Sequence, residues 1–576
     1  MKWMPRMVLP TALLLVVAQT APGAVRRVPD DHTTIAAALT ASASGDSVLV
    51  AEGTYAEHLN LVDGVVLLGG WDPGFTTQDP SVHTTNVHGG GTGSPFTADA
   101  TIGAATLVSG FLITGGGGFP GAGVVIDGGS PTIRGNDIYA NGSPGIAGGV
   151  LIRSGSTARI EGNLIRINTS TSSGGGLRVE SSSPSIVGNT IRGNVATDAG
   201  GGIYFFASSA ICSTNVFLNN SSTDGGGGGV YFQNCPDGIT VADCLFEGNT
   251  STYGGAALLR DESTVSFSDT HFELNTAISN GGAICALSFT TLSLDRCTFA
   301  NCTAGSYGGG VYARFAEVSF TGTDPLAALP DAGMSGCHAG TEGGGIFFSD
   351  CEGEISRSAF SECTAVSRGG GIGLFRSAVT ILGTLVAECV SEDGGGIAVT
   401  SDRANNSPVT LIQQCTIYGC SATGSPSNKH GGGVVHIANN GEKAAELIAT
   451  IVCHTRQGTA IRCKKWSGSG AGKPSFSYTI FHQDSSNPET TAVGGNQCLS
   501  ALSGPQNHDG DDPLLCGLPS PVDFSLQDCS PAVIAGSTDP TGEWPFMGVA
   551  KTTCACETVQ SSLESISWGR VKSLYR

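Results

Sequence analysis

The stretch Phe272-Glu273-Leu274-Asn275-Thr276-Ala277-Ile278-Ser279-Asn280-Gly281-Gly282-Ala283-Ile284 decides the fold. It holds two phrases, an apolar residue three places before an Asn, then a glycine run closed by an aliphatic residue. Both recur outward along the chain. The aliphatic after each glycine run falls at Val150, Leu177, Ile203, Val230, Ala257, Ile284, Val311, Ile346, Ile372, Ile397 and Val434. Neighbouring positions differ by 27, 26, 27, 27, 27, 27, 35, 26, 25 and 37 residues, so eight of ten steps lie between 25 and 27 and the two long ones read as insertions. The other phrase runs in phase at Ile138/Asn141, Ile165/Asn168, Ile191/Asn194, Phe217/Asn220, Phe246/Asn249 and Phe272/Asn275. Beyond it the Asn becomes cysteine, at Phe299/Cys302, Phe360/Cys363, Val386/Cys389 and Ile417/Cys420.

A fixed period of this length marks a solenoid, in which a repeat cannot bury its apolar face alone and must stack on the next. Three or four glycines in each 26-residue unit disfavour helices. The segments between are short, β-branched and bounded by turns, as in Ser181–Ile186 and Ser263–Ser268, which is strand character. The fold class predicted is therefore all-β, a right-handed parallel β-helix. Successive coils pair at about 4.8 Å, so like side chains lie over like. An Asn at a turn then bonds to the coils above and below and tolerates left-handed backbone geometry. Glycine suits a sharp corner repeated in every coil.

The pairing of Gly281-Gly282-Ala283-Ile284 with Phe272-Glu273-Leu274-Asn275 resembles the GGA(I/L/V) and FxxN repeats of chlamydial polymorphic outer-membrane proteins. More broadly it resembles the right-handed β-helix repeats of the pectin-lyase-like superfamily. The resemblance covers roughly residues 100 to 465. It implies the fold and leaves function open, because one fold hosts many sites. The chlamydial proteins end in a large membrane β-barrel, for which the residues after 465 give no room.

The 576 residues include 86 Gly, and 13% of them are charged. A solenoid can carry this length as one rod, roughly 60 to 70 Å long for thirteen to fifteen coils at about 4.8 Å each. The formal charge of −20 argues against nucleic acid or an anionic membrane surface as partner, and weakens a site for polyanionic sugars. Lys2 and Arg6, the run Leu13–Val17 and the small residues Ala18, Ala21 and Ala24 read as a secretory signal peptide over residues 1–24. The localisation expected is secreted or at a bacterial cell surface.

Thr34–Thr40, Gly45-Asp46, Val48–Ala51 and Gly53-Thr54-Tyr55-Ala56-Glu57 resemble the N-terminal helical cap and opening coils of secreted pectin-lyase-like proteins, over residues 25–100. Repeats are expected over 101–465, with insertions at Thr321–Gly333, Asp402–Ser407 and Gly424–Lys429. Last coils and a loop-rich, Cys-containing C-terminal cap follow over 466–556, then a basic aromatic tail over 557–576. The 19 cysteines read first as stacked buried thiols. Cys302, Cys363, Cys389 and Cys420 share one coil position, and Cys244, Cys297 and Cys415 another. Pairs such as Cys297/Cys302 and Cys415/Cys420 stay open to bridging if their side chains face the same way. Disulfides fit the loop-rich Cys498–Cys556 region better than the coils.

The search for chemistry names no catalytic residue. The Asn-Thr-Asp and Gly-His-Gly motifs of pectin hydrolases are missing, and no Gly-x-Ser-x-Gly, His-Glu-x-x-His or P-loop occurs. Asn507, His508, Asp509, Asp511 and Asp512 read as a solvated turn ahead of a calcium-assisted lyase site. Asp198, Asp224 and Asp393 precede glycine runs without sharing a register. Lys429, His430, His436 and Arg403 cluster near an insertion and read as exposed loop residues ahead of an acid/base pair. Lys464, Lys465, Trp466 and Lys473 form the one basic cluster before the tail. No cofactor is assigned, and calcium is the ion left open. The function expected is an adhesin-like binding scaffold for carbohydrate or envelope partners. The alternative is a polysaccharide lyase or glycoside hydrolase, which requires a carboxylate and a Lys or Arg converging near the inserted loops.

Overall fold

A computed structural model describes residues 23–448, apart from 120–121, 144–145, 324–331, 403–407, 425–430 and 439–443, and short segments between 450 and 509. Most of the expected signal peptide and C-terminal cap, and all of the tail, lie outside the described residues.

Between residues 124 and 422 each coil contributes four short strands. In one of them these are Ile203–Phe206, Ala210–Ser213, Val216–Leu218 and Ser221–Ser222, which we assign to sheets I, II, III and IV. Among the described residues these sheets hold 16, 17, 17 and 11 strands, and the pairs between coils are parallel. All eleven aliphatics that follow the glycine runs fall in one column of sheet I, each the register partner of the next from Val150↔Leu177 to Ile397↔Val434. The 26-residue period is thus one turn of coil.

The interior is a stack of like on like. Phe217, Phe246, Phe272 and Phe299 lie ring over ring, with centroids 4.3, 5.1 and 4.6 Å apart. Phe205 and Phe232 stack likewise at 5.5 Å. These rings are buried, and offset stacking adds to their burial about 0.5–1.5 kcal/mol per pair.

Two polar ladders run through this apolar core, both at the ends of sheet III. The expected one is Asn141, Asn168, Asn194, Asn220, Asn249 and Asn275. The Nδ2 of Asn168 donates to Oδ1 of Asn194 at 3.0 Å and to the Ile138 carbonyl at 2.9 Å. Its backbone N–H also donates to Asn194 Oδ1, at 3.0 Å. A second ladder, Asn136, Asn163, Asn189 and Asn215, repeats this pattern five residues earlier in each coil. Where both ladders turn to cysteine, the thiol takes over the amide's donor role. Cys302 reaches the Phe272 carbonyl at 3.7 Å, and Cys297 the Phe267 carbonyl at 3.5 Å. The twelve cysteines described are free and buried; Cys297 and Cys302, like Cys415 and Cys420, stand in separate columns without bridging.

The corners divide into two kinds. At the I–II, II–III and III–IV corners one or two residues per coil are left-handed, and they are of several types, among them Ser154, Asp261, Asp243, Ile167, Leu274 and Glu362. The left-handed residue at the III–IV corner immediately precedes the ladder Asn; the Asn itself is not left-handed, contrary to the expectation from sequence. The Cβ at these corners points outward, and at Gly162 it would meet nothing within 4 Å. At the IV–I corner glycine holds the left-handed position from Gly174 to Gly394. A Cβ on Gly200 would sit 2.4 Å from the Ile203 carbonyl oxygen, and one on Gly254 2.0 Å from that of Ala257.

The expected helix exists as Ile35–Thr40, capped by Thr34. The Glu57 carboxylate of the Gly-Thr-Tyr-x-Glu motif accepts from the N–H groups of Ile35 and Ala36 at 3.0 and 2.9 Å. At six residues it is about 9 Å long, too short to span the coil, so the helical cap reduces to one short element beside the first strands.

Candidate functional site

From Tyr307 to Asp393 the residue before each glycine run occupies the same outer position of the IV–I corner. Isolated bridges align Tyr307 with Glu342, Glu342 with Arg368, and Arg368 with Asp393. Arg368 Nη1 donates to Glu342 Oε1 at 3.1 Å. Burial pushes the Glu342 carboxyl above the usual carboxylate range, and the Arg368 charge offsets part of that. Asp393 lies one coil further and is buried; its Oδ1 accepts from the Gly431 N–H at 3.4 Å. Burial lowers the pKa of the half-buried Arg462, and Asp393 opposes that shift. Acidic and basic groups thus alternate along the corner that carries the 424–429 insertion.

Beneath this corner runs an aromatic column on the outer face of sheet I. Tyr204 is the register partner of Tyr231, and Tyr312 of Phe347. Their ring centroids are 5.5 and 6.0 Å apart, and Tyr307 covers Phe347 at 4.9 Å. The glycine turns lie on these side chains: a Cβ on Gly226 would come within 2.2 Å of Leu258 Cδ2 in the same column. Burial pushes the Tyr204 hydroxyl up to about 12, and it donates to Gln233 Oε1 at 2.7 Å. This column is packing, not an open surface.

A second ionic group stands at the I–II corner. Arg376 bonds the Asp402 carboxylate with Nε and Nη2, and its Nη1 lies 3.8 Å from Asp350 Oδ1. The Asp402–Ser407 insertion starts there. A carboxylate thus lies beside an arginine at Glu342/Arg368 and at Arg376/Asp402.

The other residues singled out from sequence scatter. His436 is buried inside the coil, where its Nε2 accepts from the Ala444 N–H at 3.1 Å; it is no loop residue. Lys429, His430 and Arg403 lie outside the described residues, as do Asn507, Asp511, Asp512, Lys465, Trp466 and Lys473. His508 and Asp509 form a short strand, and Lys464 ends another. Asp198 and Asp224 are exposed and Asp393 is buried, in three different registers. Among the described residues no group of three or more His, Cys, Asp and Glu is arranged to hold a metal. No helix among them is long and apolar enough to cross a membrane.

Residues 102–271 match the family model described as a right-handed beta helix region. Residues 269–287 match the Chlamydia polymorphic membrane protein repeat. No curated protein matches the sequence. Solved structures with some likeness include the A-module of the mannuronan C-5 epimerase AlgE6 of Azotobacter vinelandii, at 11% identity and a TM-score of 0.21, covering 80% of this chain and 93% of that one. The PL6 family alginate lyase AlyGC is another, at 10% and 0.22, covering 84% and 99%. The chain is a right-handed parallel β-helix with a stretch that matches the Chlamydia polymorphic membrane protein repeat.

Proposed function

We propose that this protein is a secreted or cell-surface β-helix that works by binding, as a scaffold for carbohydrate or envelope partners. The observation that supports this reading is the repeat at residues 269–287. The registers it occupies recur in the coils on either side. The signal-like N-terminus agrees with it. The test is protease shaving of intact cells, together with a glycan array probed with the purified chain. External cleavage and a saturable glycan or envelope ligand are expected; a chain confined to the cytoplasm would end the reading.

A second reading, polysaccharide cleavage, draws on the Glu342–Arg368 pair with Asp393 one coil away. A carboxyl raised by burial can donate a proton to a leaving oxygen. Its test is depolymerisation of pectate, alginate and glycosaminoglycans. Turnover abolished by Glu342→Gln, with the coil intact, would displace the binding-only reading.

A further inference from the structure

Two phenylalanines face solvent at the I–II corner on consecutive coils. Phe289 is 76% exposed and Phe315 is 42% exposed, and the Phe289 N–H donates to the Phe315 carbonyl at 2.7 Å. Their rings lie 6.2 Å apart at 27°. Both are left-handed, with φ of 61° and 52°. A bulky aromatic in that region is a backbone outlier, and the same corner is filled elsewhere by Ser154, Ser181, Ala207 and Asn234. Exposed rings return little packing for that strain, and strain kept without structural return points to function.

The surroundings say what the rings suit. The Arg314 guanidinium already lies 4.9 Å from the centre of the Phe315 ring, a cation on an aromatic face. Glu262, exposed, occupies the coil before Phe289, where its N–H donates to the Ser288 carbonyl at 3.1 Å. Glu317 follows Phe315 by two residues and is the in-register partner of Glu352; both are exposed. No lysine occurs between Lys2 and Lys429. Asp261, Glu262, Glu317 and Glu352 outnumber Arg260 and Arg314 on these coils, and an acidic excess beside apolar ring faces disfavours a polyuronate and favours a ligand that joins flat ring faces to cationic groups.

Resting on the binding function proposed above, we infer that the Phe289/Phe315 corner is a docking surface for a glycan bearing free amines. The sugar rings lie against the phenyl faces, and the ammonium groups are held between those rings and Glu262 and Glu317.

The test measures binding of the full chain to a glucosamine hexamer, a cellohexaose, an oligogalacturonate and oligolysine, at low and high salt. The hexamer is expected to bind best and more weakly as salt rises. The Phe289→Ala/Phe315→Ala double variant is expected to lose roughly tenfold in affinity, and Glu262→Gln/Glu317→Gln to flatten the salt dependence. Phe289→Asn is expected to raise the denaturation midpoint while weakening binding, a combination that a packing role would not give. Affinity within twofold of wild type in the double variant would overturn the inference, as would equal binding of the oligogalacturonate. Oligolysine binding that exceeds the hexamer's and depends on the two rings would also overturn it. If array ligands bind the double variant as they bind wild type, only this corner falls and the binding reading stands.

Discussion

Asn194 and Asn220 stand one above the other in adjacent coils, and Asn220 Oδ1 accepts both the backbone N–H and the Nδ2 of Asn194, at 3.1 and 3.0 Å. The remaining Asn194 donor reaches the Ile165 carbonyl of the preceding coil at 2.9 Å. One side chain thus ties three coils together inside the core. The geometry accounts for why Asn recurs there.

Asn220→Ala removes the acceptor of two buried donors. Each buried donor left unpaired costs about 1–3 kcal/mol, so a loss of about 3 kcal/mol is expected, localised to the coils on either side. Hydrogen exchange of the Asn194 backbone and side-chain amides reports it. Unchanged protection at those amides would show that the ladder follows the coil instead of holding it.

The glycines of the two corner types make opposite predictions. Gly254→Ala would bring Cβ within 2.0 Å of the Ala257 carbonyl oxygen, whereas at Gly162 a Cβ meets nothing within 4 Å. Both positions are left-handed, so both substitutions carry about 1 kcal/mol of backbone cost. Gly254→Ala must in addition displace backbone. It is expected to unfold the neighbouring coils, while Gly162→Asn folds with near-normal stability by denaturant titration.

The same contrast explains what the sequence could and could not tell. The IV–I corner keeps glycine at one left-handed position from Gly174 to Gly394, so its period is legible in each of those repeats. The III–IV corner is just as regular in its backbone, yet Ala140, Ile167, Asn219 and Leu274 fill it. Its side chains point into solvent and leave no signature. The second Asn ladder was missed because it keeps Asn for only four coils, at Asn136, Asn163, Asn189 and Asn215, before Cys244 and Thr270 replace it. The Glu342–Arg368 pair was readable in principle, since each residue stands directly before a glycine run. The exposure of Phe289 was not, because one extra left-handed residue, Ser288, precedes it at that corner.

The switch from amide to thiol offers a gain of stability. Asn275 is the last amide of its ladder, and Cys302 beyond it offers only a sulfur as acceptor; burial pushes that thiol well up. Sulfur accepts weakly. Cys302→Asn would give Asn275 an oxygen partner and extend the ladder by one coil at similar side-chain volume. A stabilisation of about 1 kcal/mol is expected, read as a shift in urea midpoint. A clear loss would mean that the cysteine half of the coil has a spacing the amide cannot fit.

His436 makes the C-terminal coils acid-sensitive. It lies inside the core, the register partner of Val399 before it, and burial pushes its pKa down from 6.5 to about 4. The unfolded chain binds a proton below about 6.5 and the folded chain does not until about 4. Stability is therefore full above pH 6.5 and falls as the pH drops through that window, by about 3 kcal/mol in all. His436→Leu leaves the Ala444 N–H without its acceptor and lowers stability at neutral pH by about 1–3 kcal/mol, but it abolishes the slope. The check is the urea midpoint of these coils at pH 7, 5.5 and 4.5 in both proteins, since carboxylates contribute equally to each and cancel in the difference. Parallel pH profiles would show that His436 is protonated in the folded coil.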